Sequence, residues 1–434
     1  MSSSTAAGAG AAGFTGYQKL VIALIAFLQF TIILDFMVIS PLGAIIIPAL
    51  RITPAQFGLL VSTYAFSAGA SGLLAAGFTD RFDRKRVLLF FYTGFVLGTL
   101  LCALAHSYGF LLFARMITGV FGGVIGSVVL SITTDLFDYR LRGRVMGVVQ
   151  TAFAASNVLG IPLALWLTNH WGWNSSFLLI VVASTLVGFV IVIWLKPVTA
   201  HLARAPDRSA LHHFVHTVTT PRYLQGFATT GLLTVGGFML NPFMSDFTVH
   251  NLGVSLQHLP WIYTITGACS IIAGPFIIGP MADAYGKFRV FAFGCAITIL
   301  TVTLYTNLGI TPLAYIVLIS VLLFVGVSSR MITASALISA VPAAADRGSY
   351  MAISASLQQF AGGAAAAVGG LIVTERSDGT LLHFDIVGYV LTVTTLISLV
   401  LMYRIQRRIE GAPKSLSARG AGEALENPPP LPAD

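Results

Sequence analysis

Asp35 is the one acid between Lys19 and Arg51, sixteen residues from each, in an otherwise apolar run. On a helix that rises about 1.5 Å per residue, this places its carboxyl near the middle of a membrane. An unpaired charge at that depth costs about 2.5 to 3.5 kcal/mol or more, so it has to be paired, protonated or wetted by a cavity. Arg115 lies seven residues inside Tyr108, roughly 10 Å below a membrane surface, and from there its guanidinium can reach the level of Asp35. One reading of the two residues is a permanent structural ion pair. The other is a proton-coupling device, because burial and a nearby guanidinium pull the carboxyl in opposite directions and the balance changes if the pairing changes between conformations. Arg330, seventeen residues past Leu313 and twelve before Pro342, is a third charge inside an apolar stretch. With no second acid near it in the sequence, it can meet an anionic or carboxyl-bearing substrate, bond backbone carbonyls, or extend toward a membrane surface.

These groups need a scaffold of membrane-spanning helices. Of 434 residues, 56% are hydrophobic and 9% charged, against roughly 25% charged in soluble domains, which excludes a soluble enzyme. Apolar stretches fall at about 20–49, 55–77, 87–105, 110–135, 145–168 and 175–195, and again at about 223–247, 258–282, 290–308, 313–340, 349–373 and 382–403. Each is long enough for one span of about 20 residues. With the N-terminus in the cytoplasm, 20 of the 24 Lys and Arg residues fall on the inner side and only Arg51 and Arg376 outside, the asymmetry that orients multi-pass proteins. The fold expected is an all-α integral membrane protein of twelve spans in two pseudo-symmetric six-helix bundles.

The halves read as copies. Asp80-Arg-Phe-Asp83-Arg84-Lys85-Arg86-Val87 lies over Asp283-Ala-Tyr-Gly286-Lys287-Phe-Arg289-Val290 at a shift of 203, and Lys19 falls on Arg222 at the same shift. Pro41 and Pro242, expected to interrupt spans 1 and 7, match at 201, and the helix-starting Thr53 and Ser255 at 202. A parallel duplication follows. The expected division is a disordered cytoplasmic tail 1–18, bundles 19–195 and 222–405, a cytoplasmic linker 196–221 holding His201, His212, His213 and His216, and a disordered tail 406–434.

Ala76-Gly77-Phe78-Thr79-Asp80-Arg81-Phe82-Asp83-Arg84-Lys85-Arg86 follows span 2, and Gly279-Pro-Met-Ala-Asp283-Ala-Tyr-Gly286-Lys287 ends span 8. Span 4 carries Arg115-Met-Ile-Thr-Gly119, span 5 carries Gly160-Ile-Pro162, and Trp171-Gly-Trp-Asn-Ser-Ser-Phe177 opens span 6. On these elements the chain resembles the major facilitator superfamily over residues 19 to 405, and within it the twelve-span drug:proton antiporter branch that includes sugar- and metabolite-efflux carriers. Ala76 and Asp83 stand where the family's loop has glycine, and Leu163-Ala164-Leu165 stands where its antiporter element has glycines.

The resemblance implies alternating access about a midplane site. It implies a gating role for Asp80, Arg81, Arg84, Asp283 and Lys287, in which Asp beside Arg caps a helix and pairs across the bundle interface. Simple positive-inside topology is the plainer account of the same loop. Spans 1, 4 and 7 would line the cavity, with Gln29, Phe30, Thr31, Phe36, Phe238, Asn241, Phe243, Asp246 and Arg330 as its candidate residues: apolar walls and a few polar contacts, as suits an amphiphilic organic molecule.

The expected function is a proton-coupled secondary transporter exporting an organic solute or drug as a monomer from the inner membrane, with both termini cytoplasmic. A symporter or uniporter importing an organic anion is the alternative, and a non-transporting sensor on a carrier fold the alternative of another class. No nucleotide-binding loop, no reaction centre and no metal-ligand spacing around Cys102, Cys269 and Cys295 is present, so no enzyme, cofactor, metal or nucleic-acid partner is expected.

Overall fold

The computed structural model describes residues 14–75, 79–137, 139–199, 202, 216–343 and 346–411. His201, His212, His213 and most of both expected tails lie outside the described residues. Twelve long helical spans are seen. In the first half they are Gly16–Val38 continued by Gly43–Leu50, Pro54–Ala75, Arg84–Ala103, Tyr108–Leu136, Tyr139–Ala155 continued by Ile161–Trp171, and Asn174–Trp194. In the second they are Pro221–His250, Leu259–Ala273 continued by Gly279–Tyr285, Lys287–Thr306, Leu313–Ile338, Arg347–Ile372 and Phe384–Gly411. Ten of these are apolar enough to cross a membrane by length and composition alone. Spans 7 and 11 are more polar and Gly-rich, and they pack on each other, on span 2 and on span 12. Strands Thr374–Glu375 and Leu381–Leu382 form a small hairpin between spans 11 and 12. With an even number of spans, the first helix begins and the last helix ends on one face of the bundle, here called the near face; the hairpin lies on the far face.

Three expectations change, and one concerns the tail expected from residue 406: the last span stays helical to Gly411. The tail expected to run to residue 18 gives way to helix at Gly16, because Thr15 and Gln18 form a reciprocal cap: the Thr15 hydroxyl accepts from the Gln18 amide at 3.2 Å, and Gln18 Oε1 accepts from the Thr15 amide at 3.0 Å. Pro41 does fall in a break of span 1, but Pro242 sits inside a continuous span 7. A proline costs a helix one internal hydrogen bond and a local bend rather than its continuity when neighbouring helices hold both sides.

The bundles meet along span 2 and span 11 and through the far halves of spans 1, 5, 7 and 8. Backbone proximity carries this seal. A Cβ on Gly58 would stand 2.5 Å from the Ala366 carbonyl oxygen, and one on Gly43 would stand 2.9 Å from the Pro242 carbonyl oxygen. The Ser62 hydroxyl donates to the Gly363 carbonyl at 2.7 Å, Ser245 to the Ser40 carbonyl at 3.0 Å, and Asn169 Nδ2 to the Leu256 carbonyl at 3.0 Å. Small residues that let helix backbones approach are the usual glue inside lipid. The structure therefore holds the far face closed. Among the described residues no comparable close packing joins span 4 to span 10 toward the near face.

Gly58→Val should force spans 2 and 11 apart and destabilise the protein by about 1 to 3 kcal/mol, the usual cost of overpacking. Thermal melting of the purified protein checks this, and an unchanged midpoint would mean that the interface has slack.

Candidate functional site

Span 1 presents Asp35 to span 4, where Arg115 Nη1 donates to Asp35 Oδ2 at 2.9 Å and to the Asp35 carbonyl at 3.3 Å. Span 3 supplies the Thr99 hydroxyl, which donates to Asp35 Oδ1 at 3.2 Å. Both side chains of the ion pair are 0% exposed. Arg115 Nε and Nη2 have no hydrogen-bond partner among the described residues. Their charge rests instead over the Tyr64 ring of span 2, with Cζ 4.4 Å from the centroid, a contact worth about 2 kcal/mol when desolvated.

Tyr64 is the first ring of a chain that leaves the first bundle. Its centroid lies 5.3 Å from that of Phe36, and Phe36 lies 5.6 Å from Phe238 on span 7. The buried ion pair thus touches, through two rings of its own bundle, the other half of the molecule. Phe36 and Phe238 are half-buried, as are Gln29, Phe30 and Asn241, which is the exposure that residues bordering a central space should have.

Three of the expected cavity residues are elsewhere. Thr31 is buried, bonding the Leu28 carbonyl at 2.8 Å and the Tyr92 hydroxyl of span 3 at 3.1 Å, because its place on the helix turns it into its own bundle. Phe243 is 0% exposed and packs edge-on against Phe57 of span 2, with centroids 6.3 Å apart, as part of the far-face seal. Asp246 is 1% exposed and bonded to His250 one turn along the same helix. Arg330 is 3% exposed and borders a pocket between spans 7, 10 and 12 with Asn241, Gly237, Phe324 and Leu391. Its Nε has no hydrogen-bond partner among the described residues, and the Cys295 thiol lies against its guanidinium.

At the near face, Arg84 Nε bonds Asp135 at the end of span 4 at 3.3 Å, and Arg84 Nη1 donates to the Thr79 carbonyl at 3.2 Å. Asp83 caps span 3 through the Lys85 amide at 3.0 Å and also accepts from the Val198 amide at 2.9 Å. These ties hold together the near-face ends of spans 3 and 4 and the segment that follows span 6. Arg81 is exposed, as are Asp283 and Lys287 in the second copy. The Asp80 side chain lies outside the described residues.

The sequence model of the Major Facilitator Superfamily matches residues 25–232 and again residues 226–431, once for each bundle. The chain belongs to the major facilitator superfamily. It is a membrane transporter and not an enzyme. It is 22% identical over 344 residues to an uncharacterized transporter of this superfamily from Bacillus subtilis, covering 79% of this chain and 86% of that one. It is 24% identical over 247 residues to a chloramphenicol efflux pump of Mycobacterium tuberculosis, covering 56% and 59%, so that match spans about six-tenths of the pump. Among solved structures, the nucleoside transporter NupG superposes with a TM-score of 0.70 at 15% identity, over 89% of this chain and 99% of that chain.

In this member of the superfamily, Gly160 and Pro162 mark a packing device. Residues Ser156–Gly160 form a π-turn inside span 5, and Gly274–Ile278 form another inside span 8. Each precedes a proline, Pro162 and Pro280, whose missing N–H is absorbed by the widened turn. Gly160 lies against Leu34, one residue from Asp35: a Cβ there would stand 2.6 Å from the Leu34 side chain. Thr99 gives no signal in the sequence, since a lone threonine in an apolar helix usually bonds its own backbone. The Asp246-x-x-x-His250 spacing was a readable signal for the pair that the structure holds.

Arg115→Met alone should destabilise the protein by about 3 to 5 kcal/mol, because it strands the Asp35 carboxylate in an apolar core. The double replacement Asp35→Leu with Arg115→Met should recover most of that loss. Melting midpoints of the three proteins check this; a double variant as unstable as the single one would show that the partners are not coupled.

Proposed function

We propose that the protein is a proton-coupled antiporter that exports an amphiphilic organic solute across the inner membrane, with both termini in the cytoplasm and one chain as the working unit. The observation that carries this reading is the ion pair of Asp35 and Arg115, dry on every side and joined by Tyr64 and Phe36 to Phe238 of the other bundle. A scaffold gains nothing from two such charges, and intramembrane ionisable residues mark function by default. When the far face parts, Ser245 leaves Ser40 and Phe243 leaves Phe57, and the far end of span 1 is freed to admit water toward Asp35. A proton on the carboxyl then cancels its charge and loosens Arg115, whose guanidinium shifts over Tyr64. That movement reaches Phe36 and Phe238 at the rim of the substrate space. Export is supported by the likeness to an efflux pump, and the basic near-face loops fit the cytoplasmic side.

A second reading rests on Arg330. Its unpaired Nε beside Asn241 suits a carboxylate on the substrate, whichever way transport runs.

In proteoliposomes, Asp35→Asn should abolish pH-driven transport while substrate binding to the purified protein persists; uphill transport retained by that variant would remove Asp35 from the mechanism. Arg330→Ala should weaken binding of acidic substrates by at least about tenfold, as expected for a lost charge-assisted hydrogen bond of about 1.5 to 3 kcal/mol, and leave neutral ones unaffected. Equal affinities for acidic substrates in a competition assay would discard the carboxylate role.

A further inference from the structure

The far end of span 7 carries both the seal and a second set of titratable groups. Within ten residues of one helix, Pro242 backs onto Gly43, Phe243 onto Phe57 and Ser245 onto Ser40 of the first bundle. The residue after Ser245 is Asp246, whose Oδ1 lies 2.6 Å from His250 Nδ1. Asp246 Oδ2 is buried with no hydrogen-bond partner among the described residues. The hairpin closes over this pair. Asn251 is stitched to Leu381 in both directions, at 2.8 and 2.9 Å. Gly379, at φ +86°, lies flat against the His250 ring, where a Cβ would stand 3.1 Å from Cδ2. The first hairpin strand, Thr374–Glu375, also packs on span 2 of the other bundle.

We infer that Asp246 and His250, roofed by the hairpin, form a proton-binding latch that holds the far face shut while His250 is protonated and lets it part when that proton leaves. The inference rests on the transport reading and adds a proton site to it; it does not involve Asp35.

The argument is one of charge. With the imidazole protonated, the buried carboxylate has a counter-charge at hydrogen-bond distance and the pair is neutral overall. Without that proton, Asp246 is left as a buried anion facing the Glu375 carboxylate, and separation of the hairpin and span 7 wets both. Partial burial, and then the Asp246 charge, lift the Glu375 carboxyl above its ordinary range, while His250 acts the other way. Asp246 and Glu375 are the groups whose charge bears on His250. Of the other ionisable groups on the segments packed around this end, Tyr305 is bonded to Thr248, Arg376 acts on Asp378, and Arg51, His383 and Asp385 flank the region in sequence. A closed form that pairs His250 with a carboxylate binds the proton more tightly than an open form in which the ring is hydrated. By linkage, closure is favoured at lower pH and weakened as pH rises through the imidazole range. A proton arriving from an acidic far side would thus close the far face behind a departing substrate.

The test uses the full chain in lipid nanodiscs, spin-labelled at Leu104→Cys and Ile310→Cys, both exposed on the far face of different bundles, in a Cys269→Ser background. Pulsed electron resonance should give one short distance at about pH 5.5 and a growing longer one toward about pH 8.5, an interval that brackets an imidazole. The closed-to-open ratio should fall by about tenfold, equal to one pH unit of difference in how tightly the two forms hold the proton. His250→Ala and Asp246→Asn should each abolish the pH dependence, and Glu375→Gln, which leaves the pair intact, should displace but keep it. Persistence of the titration in both His250→Ala and Asp246→Asn overturns the latch. Asp35→Asn separates the two ideas: it should keep the titration, whereas loss of the titration in Asp35→Asn and not in His250→Ala would move the proton site to span 1.

Discussion

Two opposite charges with no access to water set the terms for the first bundle. Asp35 and Arg115 can be tolerated at that depth only as a pair, so spans 1 and 4 must be held at one separation and one rotation. Span 3 contributes a hydroxyl to the second carboxylate oxygen and span 2 a ring to the face of the guanidinium. Four helices are thus tied to one point. The tie is incomplete: two guanidinium nitrogens have no hydrogen-bond partner among the described residues and rest over the Tyr64 ring, which makes the arrangement stable in one state without making it the only state available.

The second bundle solves a similar problem differently. Arg330 has a thiol and a pocket where Arg115 has a carboxylate, and its acid, Asp246, is used at the far end of span 7 with a histidine. The repeat that made the two halves alike in backbone has left their charges unlike. The aromatic contact between Phe36 and Phe238, the Ser245–Ser40 hydrogen bond and the glycine-lined seams join the two halves.

Architecture was legible in the sequence because lipid allows few solutions: a 56% apolar chain with charges gathered between twelve runs can be little else. Asp35 and Arg115 were legible for the same reason, as charges where charge is costly. What could not be read was direction. Thr31 sits between Phe30 and Ile32 in a helix apolar on all sides, so no polar face said whether it points to the cavity or to Tyr92. Phe243 and Asp246 were assigned to the cavity by belonging to span 7, but a helix that lines a chamber along half its length seals it along the other half. The near-face loop was recognisable by its residues, while its tie from Arg84 to Asp135 joins positions 51 apart, which no helical spacing announces.

The π-turn at Gly274–Ile278 explains an irregularity in the duplication. Thr53 matches Ser255 at an offset of 202, yet Asp80 matches Asp283 at 203, so the second copy gains one amino acid between these points. Span 2 runs as unbroken α-helix from Pro54 to Ala75, whereas span 8 holds its wide turn in the corresponding stretch. A single inserted residue rotates everything after it by about 100° in an α-helix unless it is looped out as such a turn. Such a turn takes up one residue without rotating the helix beyond it, and it leaves in span 8 a widened ring of backbone where the described part of span 2 is regular.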